Sequence, residues 1–270
     1  MSIKIITVNY KDSKPTENLI NSIINCKISS ALKITIIDSD SSEDSFLSLK
    51  TMKEKVNLDI EIIRSIKNTY YWGGIKLGLK NDKKDYDWII ACNNDVEFND
   101  NRFFEKLNDL EKGSYNIIAP QIISSLTNKD LNPFMLKPIS FIYEIYYSLY
   151  YLNFSASKIV HKIGSLFTVI KKMSKIKNSV NCQIYAGHGS CMIFSKDYFS
   201  NGGFLETGFT MYGEEVSTAE IAKKVNSLIY YIPSLSLLHN EHQSTNKVSS
   251  KDNFLHSKKT YYFLKKKYRS

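Results

Sequence analysis

The sequence predicts an α/β fold, a Rossmann-like, mainly parallel twisted sheet with helices on both faces. Short β-branched apolar runs alternate with helix-period segments from Ile3 to Ala119. The spacing of those runs suits crossover helices rather than hairpins. Small polar residues follow the carboxyl end of run after run, which is where doubly wound sheets bind ligands.

The elements follow in order. Ile3–Val8 is a buried strand, and Pro15 opens a helix to about Cys26 with Leu19, Ile20, Ile23 and Ile24 on one face. Ile34–Ile37 is the second strand. Ser42 and Glu43 open a helix reaching about Met52, with Ser41 or Ser42 suited to the N-cap. Ile60, Ile62 and Ile63 mark a third strand, Gly73–Lys80 a short helix, and Trp88–Cys92 a fourth strand. A helix over Asn99–Leu110 leads to a fifth strand at Ile117–Ala119. The second half reads as a strand near Ile184–Phe194, a Gly202-Gly203 turn and a helix from Glu214 to about Val225. A strand over Leu228–Pro233, a loop over His239–Thr245 and a basic helix over Asn253–Lys267 complete it. The expected organisation is one continuous domain in three parts. Residues 1–126 form its first half, 127–182 a basic aromatic helical insert, and 183–270 its second half with the basic C-terminal helix.

A chain of 270 residues with 43% hydrophobic and 23% charged residues buries its own core and is not disordered. The net charge of +9 is uneven. Residues 131–180 carry seven lysines against Glu144, interleaved with aromatics such as Phe134, Phe141, Tyr147 and Tyr151. The tail adds Lys258, Lys259, Lys265, Lys266, Lys267 and Arg269 without an acid. Two basic aromatic segments point to an anionic membrane surface or a phosphorylated acceptor rather than to nucleic acid. The four cysteines form no CxxC or zinc spacing, and the chain opens on a strand pattern rather than a signal peptide. The expected location is the cytoplasm, peripheral on the cytoplasmic face of the inner membrane.

Several residues can carry chemistry. Asp95, in Asn93-Asn94-Asp95, suits Mg²⁺ or Mn²⁺, which take one or two carboxylates plus substrate phosphates; the same triplet also suits a strand-end turn. Asp38 ends the second strand, where a carboxylate can accept from a base or ribose. Glu214 and Glu215 start a helix, where the dipole favours them whatever their function, and either can act as a general base toward a hydroxyl. His239 and His242 lack the His-Glu-x-x-His spacing of a zinc protease.

In their order along the chain, these stretches resemble family 2 glycosyltransferases of GT-A fold, and within them the bacterial rhamnosyltransferase-like branch. Thr7-Val8-Asn9-Tyr10 resembles the nucleotide-contacting end of the family's opening strand. Asp38-Ser39-Asp40-Ser41-Ser42 resembles its Asp-Asn-x-Ser loop. The segment from Asn68 through Gly73, Gly74 and Gly78 resembles its glycine-rich donor segment, with Tyr70 in place of a glycine. Asn93-Asn94-Asp95 stands where the family carries its DxD motif. Ala186-Gly187-His188-Gly189-Ser190 resembles the strand under the acceptor. Gly202-Gly203-Phe204 and Tyr212-Gly213-Glu214-Glu215 resemble the block that carries the base, and His239 with Ser244 the closing signature.

The resemblance implies an inverting, metal-dependent transfer of a sugar from a nucleotide diphosphate sugar to a glycan or polyprenyl-diphosphate-linked acceptor, in bacterial surface polysaccharide synthesis. It implies Glu215 as base, with Glu214 beside it, and Asp95 and His239 as ligands of Mg²⁺ or Mn²⁺. Thr7, Val8, Asn9, Tyr10, Asp38, Ser39, Asn68, Gly73, Gly74, Asn93 and Asn94 fall on the donor side, and Gly187, His188 and Tyr212 on the acceptor side; the resemblance thus makes 1–126 the nucleotide-sugar-binding half, 127–182 a membrane- or acceptor-facing insert and 183–270 the acceptor and catalytic half. Glu215 is one methylene longer than the family's usual Asp. A catalytically inactive sugar-binding or scaffold subunit is the alternative. A nucleotidyltransferase is disfavoured because Asn9-Tyr10-Lys11-Asp12-Ser13 has no glycine.

Overall fold

The computed structural model describes residues 1–80, 86–111, 113–168, 180–241 and 249–269. The first three βα units are β1 (Ser2–Tyr10), α1 (Lys14–Ile24), β2 (Ala31–Ser39), α2 (Glu43–Lys55), β3 (Asp59–Ser65) and α3 (Tyr71–Lys80). β4 (Trp88–Asn93), β5 (Val96–Glu97), α4 (Phe103–Asn108) and β6 (Ile117–Ser124) follow. Two helices, α5 (Phe141–Tyr150) and α6 (Phe154–Thr168), precede β7 (Cys182–Ile184), β8 (Cys191–Ser195) and α7 (Lys196–Ser200). The chain closes with α8 (Glu214–Lys224), β9 (Ile229–His239) and α9 (Ser250–Tyr268).

Among the described residues nine strands form one sheet in the order β3-β2-β1-β4-β8-β6-β9-β5, with β7 beside β9. The run β3-β2-β1-β4 is parallel. β8 then lies antiparallel to both β4 and β6, so the sheet is mixed beyond the expected parallel core. The chain reverses direction across the sheet between β1 and β4. Their carboxyl ends therefore open a crevice at the switch point.

Both faces of the sheet are covered, as its apolar runs require. Ile3, Ile5, Ile34 and Ile36 pack with Leu19, Ile20, Ile23 and Leu49 on one side. Ile6 and Ile37 pack with Trp72, Ile75, Phe194 and Ile221 on the other. Alternation along β1 decides which face each side chain serves. Thr7 and Asn9 consequently share the α1 face, and Val8 the α3 face. Gly74 is what lets α3 approach: a Cβ there would lie 2.5 Å from Val8 Cγ2.

Three expected boundaries are corrected. The helix read over Asn99–Leu110 is shorter, Phe103–Asn108, because Phe98 turns inward against Phe103 and Phe104 instead of continuing it. The strand read over Ile184–Phe194 is two strands, parted by the turn through Gly187–Ser190. The strand read over Leu228–Pro233 continues to His239, because its partner β6 continues beside it past the irregularity at Pro120/Gln121. His239 is therefore the last residue of a strand and not the first of a loop; His242, Ser244 and Thr245 lie outside the described residues. Within the expected insert, Met135 makes an isolated bridge to Ala186 and Asp130 one to Ile123, and both Met135 and Asp130 lie outside the strands of the sheet. Ser42 is the cap of α2, accepting from Ser45 N–H at 3.2 Å.

Candidate active site

The crevice gathers most of the expected residues. At the ends of β1 and β2, Asn9 Nδ2 donates to Asp38 Oδ1 at 2.9 Å, and Thr16 Oγ1 donates to Asn9 Oδ1 at 2.7 Å. Asn94 Nδ2 reaches the same Thr16 hydroxyl at 3.1 Å, which ties the ends of β1, β2 and β4 into one network. Asp38 is fully buried, and its Oδ2 has no hydrogen-bond partner; Arg64 Nε is 3.8 Å away. Ser39 Oγ accepts from Thr69 N–H at 2.8 Å, and Asn68 Oδ1 accepts from Tyr70 N–H at 2.8 Å. Tyr70 has φ of 53°, the left-handed conformation that suits the glycine it replaces. Gly73 and Gly74 lie in the first turn of α3. Thr7 differs: it is fully buried in register with Cys92, so its side chain faces the core rather than the crevice.

The end of β9 delivers the next group. Val96 pairs with His239, and this register sets His239 Nε2 3.1 Å from Asp95 Oδ1. Both side chains are buried, at 8% and 7% exposure, and His239 Nδ1 has no partner. A buried carboxylate beside an imidazole with an unfilled nitrogen fits a Mg²⁺- or Mn²⁺-type cation whose remaining ligands come from phosphate and water. Among the described residues no group of three His, Cys, Asp or Glu side chains forms a self-sufficient metal cage. Asn93 N–H donates to Ser190 O at 2.8 Å, joining this strand end to the glycine turn.

That turn links the metal candidates to the carboxylates. The His188 ring lies 5.9 Å from the ring of His239 and 5.7 Å from that of Phe134. Burial, then the neighbouring His239, pushes His188 down to about 4, so it is neutral at pH 7. Ser190 N–H donates to its Nδ1 at 3.2 Å, which puts the ring proton on Nε2. Gly187 has room only as glycine, since a Cβ would lie 2.7 Å from Ala119 Cβ. One residue on, Gly189 N–H donates to Glu215 Oε1 at 3.1 Å.

Glu214 and Glu215 begin α8. Burial, then the charge of Glu215, pushes Glu214 up to about 8, although Gly213 N–H donates to its Oε2 at 2.8 Å. Burial also raises Glu215, with backbone donors from its own N–H and Gly189 opposing the rise. Two carboxylates whose environments separate their proton affinities are the usual basis of an acid–base assignment. At about 8, Glu214 keeps its proton at pH 7. Tyr212, at φ of 67°, stands just before them and donates through its hydroxyl to Asn253 Oδ1 at 2.9 Å.

A stability prediction follows from Glu214. Its folded-state proton affinity exceeds the unfolded one. Between the ordinary carboxylate value near 4.5 and about 8 the folded state therefore binds more protons, and stability falls as pH rises. Urea midpoints at pH 6 and pH 8.5 are expected to show this fall in the wild type. In Glu214→Gln the fall is expected to shrink by about 1 kcal/mol or more. An unchanged fall would contradict the assignment.

Tyr71 went unnoticed in the sequence. It is the first residue of α3, its hydroxyl is buried without a partner, and its proton is held by burial and by the nearby Cys92, Cys191, Glu214 and Glu215. Nothing in its spacing distinguishes it from a core aromatic.

Comparisons with known proteins bear on the family and the fold. The Glycosyl transferase family 2 model matches residues 2–203. The low-salt glycan biosynthesis hexosyltransferase Agl10 of Haloferax volcanii is 25% identical over 241 residues, 88% of this chain and 67% of that protein. The N-acetylglucosaminyl-diphospho-decaprenol L-rhamnosyltransferase of Mycobacterium tuberculosis is 32% identical over 76 residues, 28% of this chain and 25% of that protein. Among solved structures, GalNAc-T7 with UDP, GalNAc and Mn²⁺ superposes with a TM-score of 0.65 at 13% identity, covering 98% of this chain and 48% of that one. The mannosyltransferase PcManGT of Pyrobaculum calidifontis, with GDP-Man and Mn²⁺, gives 0.57 at 10% identity, covering 90% of this chain and 58% of that one. The chain thus spans about half to three fifths of these solved structures, and the likeness establishes the GT-A fold. With the family model covering three quarters of its length, the chain belongs to glycosyl transferase family 2.

Proposed function

We propose that the chain is an inverting, metal-dependent glycosyltransferase that moves a sugar from a nucleotide diphosphate sugar to a glycan or polyprenyl-diphosphate-linked acceptor in surface glycan assembly. The observation that carries this reading is a convergence. The turn through His188 and Gly189 joins the Asp95–His239 pair to the Glu214–Glu215 pair at the carboxyl ends of β1 and β4. The relatives' names support the substrate classes, since one is a hexosyltransferase and another acts with a diphospho-decaprenol.

In this mechanism the nucleoside end of the donor lies against Asn9, Asp38 and Ser39, where the free Asp38 Oδ2 accepts from a base or ribose. Val8 and Tyr10 border that edge, and Asn68, Gly73, Gly74, Asn93 and Asn94 flank the donor. Asp95 and His239 would hold Mg²⁺ or Mn²⁺, which when bound neutralises charge on the departing diphosphate. Glu215 takes the proton of the acceptor hydroxyl while its oxygen bonds to the anomeric carbon. The bond from that carbon to the diphosphate breaks on the opposite face, so a single displacement inverts the centre. Gly189 N–H fixes the carboxylate's aim, and neutral His188, with Gly187 and Tyr212, borders the acceptor. The test is thermal stability against UDP-, GDP- and dTDP-sugars with and without Mn²⁺. A metal-dependent rise with one nucleotide class is expected; no rise with any donor in a folded sample would defeat the reading.

The same reading places the chain on the cytoplasmic face of a membrane. α5 has no buried residue, and Phe141 and Ile142 are each 76% exposed, continuous with Ile145, Leu149 and Leu152. Exposed Lys137 and Lys158 flank them, and the outer face of α9 carries Lys251, Lys259 and Lys266. An apolar helix face rimmed by lysines suits the headgroup region of an anionic bilayer. Among the described residues no helix is long and apolar enough to cross one. Sedimentation with vesicles containing phosphatidylglycerol is expected to deplete the wild type. Paired Phe141→Ser and Ile142→Ser substitutions are expected to abolish the depletion with an unchanged melting point.

A further inference from the structure

Between Glu206 and Gly213 the chain forms neither helix nor strand, and α9 grips it along its length. Glu206 is buried, accepts from the Tyr268 hydroxyl at 2.7 Å and pairs with Lys267. Thr210 Oγ1 and His256 Nδ1 lie 2.7 Å apart. Thr260 Oγ1 donates to Met211 O at 2.7 Å, and Asn253 Oδ1 accepts from the Tyr212 hydroxyl at 2.9 Å. Gly213 approaches the same threonine so closely that a Cβ would lie 2.7 Å from Thr260 Cγ2.

The last three contacts converge on a strained residue. Tyr212 has φ of 67°, which is rare for a bulky aromatic. Such a residue persists only where its surroundings over-determine it. Here α9 supplies the constraint. Thr260 fixes the carbonyl before Tyr212, its methyl backs the glycine after it, and Asn253 holds the hydroxyl. Thr260 lies on the buried side of α9 with Phe254 and Leu264 and is 2% exposed. Directly after Gly213 the chain enters α8, where Glu215 Oε1 accepts from Gly189 N–H at 3.1 Å. A relaxed Tyr212 would swing the start of α8 and carry Glu215 away from that bond.

We infer that Thr260 and Asn253 are positioning residues: through Tyr212 they set where the Glu215 carboxylate stands, so that the C-terminal helix fixes the reach of the proposed base. The inference rests on the transferase reading for its consequence in catalysis; the placement of the carboxylate does not depend on it.

The test compares Thr260→Val, which removes the hydroxyl and keeps the methyl, with Thr260→Ser, which keeps the hydroxyl. Turnover is read as hydrolysis of whichever nucleotide sugar gives the thermal shift, with water in place of the acceptor. The water oxygen bonds to the anomeric carbon, the bond to the diphosphate breaks, and Glu215 takes the water's proton. In Thr260→Val kcat is expected to fall about tenfold, within the roughly 10²-fold cost of a misplacement of about 1 Å. The donor's KM and thermal shift are expected to stay as in the wild type. Thr260→Ser is expected to restore kcat to within about threefold. Asn253→Ala, at a half-buried position, is the second variant should Thr260→Val not fold, and is expected to lower kcat about threefold. Amide exchange reads the placement itself. The Gly189 amide is expected to exchange about tenfold faster in Thr260→Val or Asn253→Ala, with the Ile90 amide of β4 unchanged. Wild-type kcat in both folded variants, a donor shift that falls together with kcat, or unchanged Gly189 exchange overturns the proposal. A wild type with neither donor shift nor turnover removes the transferase reading alone, and Gly189 exchange then decides whether α9 places the carboxylate.

Discussion

Glu215→Gln is expected to lower kcat for sugar transfer by about 10²–10⁴-fold, the contribution of a positioned base, while leaving the donor-dependent thermal shift in place. The argument is geometric. Glu215 sits at the start of α8, and its Oε1 accepts from Gly189 N–H at 3.1 Å. A Gln amide oxygen can accept the same bond, so the substitution removes the base without releasing the turn. Gly189 itself is constrained, since a Cβ would lie 2.8 Å from that oxygen. The extra methylene relative to an Asp spans the gap to Gly189; Glu215→Asp is therefore expected to lose this bond and most of the rate. Because burial raises the proton affinity of Glu215, kcat of the wild type is expected to rise with pH above the ordinary carboxylate range. The Gln variant should lack that limb. A Gln variant retaining more than about a tenth of the activity would remove Glu215 as base.

The parallel half of the fold was legible because its strands are buried on both faces. Ile3–Val8 and Ile34–Ile37 lie inside β1 and β2, and the residues after them, Asn9 and Asp38, meet at 2.9 Å. The rule that ligands gather at strand ends needed only local patterning. Long-range register was not legible. Asp95 and His239 are 144 residues apart, and only the pairing of Val96 with the last residue of β9 brings them together. Spacing alone offered His239 no partner; the resemblance did. The strand read over Ile184–Phe194 failed because its alternation continues across Gly187 and Gly189, where the backbone turns. Arg269 looked like one more charge in a basic tail. Its burial depends on Glu144 from the insert and Glu220 from α8, three segments that only the folded chain juxtaposes.

Asp95→Asn is expected to remove the metal-dependent part of donor stabilisation and to lower kcat/KM by about 10²–10³-fold, the scale of losing a charge-stabilising group at the reacting centre. A donor at a hundred times its Kd stabilises the folded state by about 2.7 kcal/mol. In a chain of this size that is a rise in Tm of roughly 5–10 °C, large enough to see disappear. The fold is expected to survive, because the variant's amide oxygen can still accept from His239 Nε2, the contact made at 3.1 Å in the native chain. His239→Gln tests the second ligand: its unpartnered Nδ1 does nothing for the fold, so its loss should weaken metal dependence more than stability. A chelator added to the wild type should reproduce the Asp95→Asn thermal shift and have no further effect on the variant. If Asp95→Asn keeps a Mn²⁺-dependent donor shift equal to the wild type, the cation is held elsewhere. Asp95 is then only the buried partner that orients His239 at the end of β9.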